Sequence, residues 1–392
     1  DPLSPDAAEG RAEVEWKAEA GLPPEIETLA RGFGCDVSAL GRAALSGRAA
    51  APLAPLLRRQ APVVEITEAR MSLAPANIMA PGGLTIEGFR ADAGLTAKVA
   101  DGQATARVAP GSGVWIGRVA TAEGLAVEPG AAGRLAGVEV QGDGLRATAP
   151  LAAPKSARMA GVARLVLAPS RVKTGGAEMV SGLSGEARFD LRATAKSLAV
   201  LLQPGAWFGF DKVSAGGAVV KPWRLSIETP EAQPVLSAAL GGQGAEAAFV
   251  LTVAGPPLKA RHAAATIDVE SVRATLSGKR EGGALSGRAT TVVSGLAVNA
   301  ARHEVEAALK SATLETVFAK AEAGQPDVHA SLHLDGAKLV SKGSVLFDTG
   351  ALAPVTAAYT TTSRKGSAKA EWNVQEGAPL RVPGTQRPRR RV

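Results

Sequence analysis

Ala265-Thr266-Ile267-Asp268-Val269-Glu270-Ser271-Val272-Arg273-Ala274-Thr275-Leu276 places apolar side chains at Ala265, Ile267 and Val269. After a step of three it does so again at Val272, Ala274 and Leu276. Strict alternation turns one side of a β-strand toward apolar material and the other toward water. A step of three in mid-run would exchange the two sides unless one extra residue is bulged out, and a small or polar residue there permits that bend. The stretch therefore reads as one strand, kinked near Glu270-Ser271, that keeps a single apolar face.

The same six-residue pattern returns along the chain. Copies stand at Ile66–Met71, Ile86–Ala91, Ala122–Val127, Ala195–Val200, Val293–Val298, Leu309–Leu314 and Leu334–Leu339. Between them lie turn signals: Asp101-Gly102, Gly142-Asp143-Gly144, Gly216-Gly217, Gly241-Gly242, Gly255-Pro256-Pro257, Gly282-Gly283 and Gly324-Gln325-Pro326. Asp101-Gly102, set between the alternating runs Leu95–Val99 and Ala104–Val108, is the strongest hairpin signal of the set. The strands so marked run roughly 8 to 14 residues, with local antiparallel pairing. The predicted fold is mainly β: a long curved antiparallel sheet forming an elongated open groove, taco-like in section. Ala12, Val14, Trp16 and Ala18 alternate with charges and form an opening strand. Pro23-Pro24 followed by Ile26, Leu29, Ala30 and Phe33, Asp36 followed by Val37, Leu40 and Ala44, and Pro55–Arg59 predict a small helical insert near the N-terminus. The organisation expected is an opening strand plus helical insert over 1–61, a repetitive β-groove over 62–373 and a disordered Pro/Arg-rich tail over 374–392.

Composition narrows the function. Hydrophobic residues make up 46% of the 392, yet aromatics are only 4% and Tyr359 is the single tyrosine. The apolar positions are mostly Ala, Val and Leu. A GC-rich coding bias accounts for that as well as a surface never meant to be packed solid. The net charge is +7; the four arginines of the tail, Arg387, Arg389, Arg390 and Arg391, supply four units, leaving about three on the body. With no basic patch interleaved with aromatics, nucleic-acid binding is not expected. Cys35 stands alone, which excludes an intrachain disulfide framework. No run of about eighteen apolar residues offers a spanning helix. The chain opens on Asp1 with no basic-then-apolar leader, the expectation for a processed or excised piece.

Catalytic motifs are thin. His329 and His333 alternate with Val328, Ala330, Leu332 and Leu334, which places both on the polar side of a strand. His303-Glu304-Val305-Glu306 lacks a second histidine at helical spacing and is read as strand, so a zinc-protease helix fails on both counts. Gly182-Leu183-Ser184-Gly185 lacks the spacing of a nucleophile elbow. Glu65, Asp268 and Glu304 alternate with apolar residues and belong to a solvated face. Aromatics concentrate at Gly205-Ala206-Trp207-Phe208-Gly209-Phe210, with Trp223 beyond and Trp115 earlier, and packing is the expected role of each. No catalytic residue, metal or cofactor is predicted.

Ile86-Glu87-Gly88-Phe89, Val293-Ser294-Gly295-Leu296 and Leu334-Asp335-Gly336-Ala337 give the chain a resemblance to the AsmA-like proteins of Gram-negative bacteria. The early segment Pro52-Leu53-Ala54-Pro55-Leu56-Leu57 makes it most similar to their YdbH branch, over residues 62–373. The resemblance implies non-enzymatic transport of phospholipids between inner and outer membranes through a periplasmic hydrophobic groove. It also implies an inner-membrane anchor before Asp1 and a small outer-membrane lipoprotein as partner. The residues expected to line the groove are Ile66, Met71, Ile86, Phe89, Leu125, Leu198, Val269, Val272, Val293, Leu296, Leu309 and Leu334. The competing expectation is a structural or adhesive secreted β-repeat protein with a dry, packed interior.

Overall fold

The computed structural model of the chain describes residues 10–20, 43–52, 63–80, 83–130, 133–215, 218–229, 233–239, 246–262, 265–281, 284–320, 327–348, 355–361 and 369–373. Among them are 27 strands, no α-helix, and two single 3-10 turns at Pro154–Ser156 and Ala301–His303. The contacts divide the chain into two units, Asp1–Phe210 with Pro234–Gly242, and Asp211–Gln233 with Gln243–Val392. The mainly antiparallel β-class expected from the alternation is what both units contain.

The first unit holds β1 (Arg11–Ala20), β2 (Ala43–Pro52), β3 (Val64–Ala80), β4 (Leu84–Ala100), β5 (Gln103–Val108), β6 (Gly113–Ile116) and β7 (Arg118–Ala120). It continues with β8 (Leu125–Pro129), β9 (Ala136–Pro150), β10 (Arg158–Thr174), β11 (Ala177–Thr194), β12 (Ser197–Leu202), β13 (Trp207–Phe210) and β17 (Leu236–Ala239). Antiparallel ladders join β1 to β2, β2 to β3 and β3 to β4. Further ladders run β4–β5–β9–β10–β11–β12–β17. At its other end β4 is flanked by β6 and β7 in place of β5, and these pair onward with β9 and β8. The Asp101-Gly102 hairpin forms as read: Ala100 pairs with Gln103, and both turn residues have left-handed φ, 52° and 74°, the geometry a two-residue turn between twisted strands requires.

The second unit holds β14 (Lys212–Ala215), β15 (Ala218–Val220), β16 (Trp223–Glu228), β18 (Glu246–Gly255), β19 (Leu258–His262), β20 (Ala265–Val269) and β21 (Ser271–Glu281). β22 (Ala284–Ala300), β23 (Val305–Lys320), β24 (Asp327–Ser341), β25 (Ser344–Asp348), β26 (Val355–Thr361) and β27 (Lys369–Asn373) complete it. Its centre is the meander β18–β21–β22–β23–β24.

Strands are longer than the sequence reading allowed: β4 and β22 have 17 residues and β11 has 18. The reason is visible in the second unit. Glu270, in the break between β20 and β21, stands level with Gly295, Lys310 and Gly336 on β22, β23 and β24, where Gly295 and Gly336 have φ of 61° and 64°. The ladder between β22 and β23 passes from Ser294↔Ser311 to Leu296↔Leu309 without changing register, and that between β23 and β24 from Ser311↔Asp335 to Leu309↔Ala337. Neighbouring strands bend together along one line, so the glycine interrupts a strand's direction but not its pairing.

Four sequence readings need correction. The segment carrying Ala44, read as helix, is β2, and it pairs along its whole length with β1; the rest of the predicted insert, 22–42 and 53–61, lies outside the described residues, as do Cys35 and the tail 374–392. The copies at Ala122–Val127 and Ala195–Val200 are turns leading into strands, since β8 begins at Leu125 and β12 at Ser197. Gly142-Asp143-Gly144 is not a turn between strands but a bulge within β9: Ala160 pairs with Arg146 and Val162 with Gln141, and Arg107 Nε donates to the Asp143 carbonyl at 2.5 Å. His303 and Glu304 sit in the connection before β23, Glu304 at φ 51°, rather than in a strand.

Candidate functional site

Residues directly opposite in an antiparallel ladder share a face, so the registers trace rows of side chains across each sheet. In the first unit one such row reads Val14, Ala49, Ile66, Ala97, Ala106, Ala147, Met159, Ala193, Leu198 and Ala238, one residue from each of ten consecutive strands. All are apolar. At about 4.8 Å per strand the row extends over roughly 43 Å. It unites two predicted residues, Ile66 and Leu198, that are far apart in sequence. One position away, the neighbouring row Glu65, Lys98, Thr105, Thr148, Arg158 and Thr194 is polar from β3 to β11, and Ala50 continues it on β2.

Toward the β6–β8 end further rows share the apolar side. Leu73, Ala91, Val114, Val138, Leu165 and Ala187 form one. Ile78, Ile86, Val119, Val127, Val172 and Val180 form another, built wholly of β-branched residues and containing the predicted Ile86. Phe89 pairs with Ala76 and Met71 with Leu45 and Ala93. Leu125 sits at the first position of β8 opposite Thr174, at the margin of these rows.

In the second unit the other six predicted residues lie close together on either side of the bend. Val272, Val293, Ala312 and Leu334 make one row, and Leu296, Leu309 and Ala337 the next; Val269 pairs with Leu258. One left-handed residue resets the alternation, so Val293 and Leu296, three apart, project to the same side. The alternate rows are Ser271, Ser294, Ser311, Asp335 and Thr275, Thr290, Glu315, Ser331.

Few of the apolar side chains are fully buried. Among the described residues ten apolar side chains are buried, seven of them alanines; only Leu135, Val140 and Val269 are larger. Within the first unit's row from Leu73 to Ala187, Val114, Val138 and Leu165 are 40%, 44% and 38% exposed on three successive strands. Val269 is the one predicted residue that is buried, Met71 and Leu125 are exposed, and the other nine are half-buried. A packed sandwich would bury such rows against a second layer about 10 Å away.

Phe249, Phe318 and Trp16, outside the Trp207–Phe210 cluster, pack on glycines of the neighbouring strand. Phe249 is paired with Gly278 and Phe318 with Gly287, and each ring lies flat over its glycine: a Cβ on Gly278 would stand 2.6 Å from Phe249 Cε1. Trp16 covers Gly47 in the same way. The ring shields the glycine backbone and leaves the surface low. The Trp207–Phe210 cluster is split between faces, since Phe208 pairs with Gly185 in an apolar row while Trp207 pairs with Glu186.

The polar side of the first unit is tied by ion pairs. Arg164 donates to Glu186 through two nitrogens at 2.9 and 2.8 Å, which holds the Glu186 carboxyl below the ordinary glutamate range and raises Arg164. Lys173 donates to Glu128 at 2.7 Å and lowers that carboxyl likewise. Trp115 lies over Gly137 on this side, between Arg90 and Arg134 at 5.5 and 5.3 Å from its ring, with its Nε1 donating to Glu139 at 3.1 Å. Such an arrangement braces the backbone.

His329 and His333 share one strand, about 13 Å apart along it, too far to hold one ion. Among the described residues no cluster of three metal-ligating side chains occurs, and no helix is long and apolar enough to cross a membrane. Gly182-Leu183-Ser184-Gly185 is interior to β11.

The chain matches no protein-family model, curated protein or solved structure.

Proposed function

We propose that the apolar side of these sheets is a lipid-holding wall, a groove surface along which acyl chains lie while head groups stay in water. The observation that carries this reading is the uninterrupted row from Val14 to Ala238, apolar on ten strands and half-buried from Ala49 onward. Contiguous apolar patches of this extent on a protein surface mark sites that bind apolar partners. Small side chains and flat-lying rings give the wall low relief, which suits a sliding hydrocarbon chain better than a ligand of fixed shape. Each methylene transferred from water onto such a surface contributes up to about 0.8 kcal/mol, so holding needs no specific polar contact. The polar rows, tied by Arg164–Glu186 and Lys173–Glu128, keep the backbone stiff beneath.

The resemblance to AsmA-like proteins points the same way and adds a setting: a periplasmic element, anchored in the inner membrane and meeting an outer-membrane lipoprotein, that carries phospholipid without covalent chemistry. Native mass spectrometry of the protein purified from bacteria tests the holding function. Adducts of phospholipid mass that return when stripped protein is incubated with vesicles support it; a clean mass with no uptake refutes it and leaves a dry structural role.

A further inference from the structure

We propose that the outer edge of β1 is a self-association surface on which a second copy of the chain adds its own β1, antiparallel and centred on Glu15. Among the described residues β1 pairs with β2 and with no other strand. Its ladder runs from Arg11↔Pro52 to Ala20↔Ala43 without a bulge, and the strand contains no proline. Edges of this kind are templates for further pairing unless something blunts them. Among the described residues only charge is available to do so, and the charges are self-complementary.

Glu13, Lys17 and Glu19 are exposed and stand opposite Ala50, Ser46 and Ala44 of β2, so none meets a counter-charge there. Glu15 differs, being paired with Arg48. When one strand edge pairs with itself, residues whose backbone groups point outward must face one another, which restricts the register to those centred on a residue. Centred on Glu15, Arg11, which also reaches Glu65 of its own chain at 3.4 Å, faces Glu19 of the second copy and Glu13 faces its Lys17, each twice by symmetry; only Glu15, already neutralised by Arg48, meets its like. Centring on Val14 would oppose Arg11 to Lys17 and Glu13 to Glu15. Centring on Trp16 would set Glu15 against Lys17 but oppose Glu13 to Glu19, and would leave Arg11 without a partner in Arg11–Ala20. Like charges directly opposite destabilise a pair and opposite charges support it.

The two-fold axis of the favoured register stands normal to the sheet, so both apolar faces lie on the same side. Val14, 60% exposed at the end of its row, then meets Trp16 of the second copy, an aliphatic–aromatic cross-strand pair. The row starting at Val14 would run on into a second molecule, whatever the wall holds.

Sedimentation equilibrium of the full chain and of charge variants tests this. Glu13→Lys and Lys17→Glu should each weaken dimerisation at least tenfold, and the double swap should restore it, with urea midpoints unchanged at concentrations dilute enough for the wild type to be monomeric, because both side chains are exposed. In a Cys35→Ser background, Glu15→Cys should oxidise to a disulfide-linked dimer, whereas Glu13→Cys should not. A monomer at all concentrations, as when another segment already occupies this edge, overturns the proposal. So does failure of the double swap to restore pairing, or cross-linking at Glu13→Cys equal to that at Glu15→Cys.

Discussion

Replacing Leu309 by Ala asks whether the apolar side is covered. Leu309 pairs with Leu296 and Ala337 in the second unit and is half-buried. The change removes three carbons. At about 0.8 kcal/mol for each fully buried carbon the transfer loss would be near 2.4 kcal/mol. Half burial brings it to about 1 kcal/mol, and an uncovered site adds no cavity. Val269, 8% exposed, is the internal control. Val269→Ala removes only two carbons, yet from a buried position, and should cost at least as much, about 1.5 kcal/mol. Urea unfolding followed by circular dichroism reads both, as shifts in midpoint at constant slope. A loss of 3 kcal/mol or more for Leu309→Ala, clearly beyond that for Val269→Ala, would mean a second layer packs on the leucine, and the open wall would be wrong.

Gly287→Ala pushes a methyl into the Phe318 ring and toward the Ser277 carbonyl oxygen, 2.7 Å from the new carbon. Overpacking of this sort should cost about 1–3 kcal/mol, and since backbone crowds the site too, Phe318→Leu in the same chain should recover part of it but not all; full recovery would show that the ring alone sets the limit. Acid should weaken the first unit. Glu186 and Glu128 have folded pKa values below their unfolded ones, so their contribution is present above the ordinary glutamate value, about 4.3, and is lost as pH falls through the lowered folded values. Both pairs are partly solvated, so the effect should be modest. In Arg164→Gln the acid-side slope of stability between pH 5 and 2 should flatten; an unchanged slope would remove Glu186 from the account.

The β-class was legible because alternation is local: β1, β4 and β5 follow their sequence pattern closely. The bend at Gly295 and Gly336 was legible too, since a step of three around glycine has one economical explanation. What failed had non-local causes. Ala43 to Ala51 is rich in alanine, the best helix former, and pairing with β1 and β3 overrides that preference. Gly142-Asp143-Gly144 has the composition of a turn, and only the β10 partner reveals it as a bulge. Gly124 and Ser197 match the kink pattern letter for letter but fall at strand starts. Of the candidate site, the apolar residues could be chosen from sequence. Their union could not, because placing Ile66 in one row with Leu198 requires the registers of six intervening ladders. The flat aromatic–glycine pairs, Phe249 on Gly278 and Trp16 on Gly47, left no sequence signal, since partners that far apart have no fixed spacing.

The claim that one side of the sheet touches lipid is tested most directly by photocross-linking in bacterial cells. Photoreactive residues would be placed at Ala106 and Ala147, adjacent in the apolar row, and at Thr105 and Thr148, adjacent in the polar row beside it. The account predicts lipid adducts at the two alanine positions and none at the threonines. Adducts at neither pair, or equally at both, would contradict it.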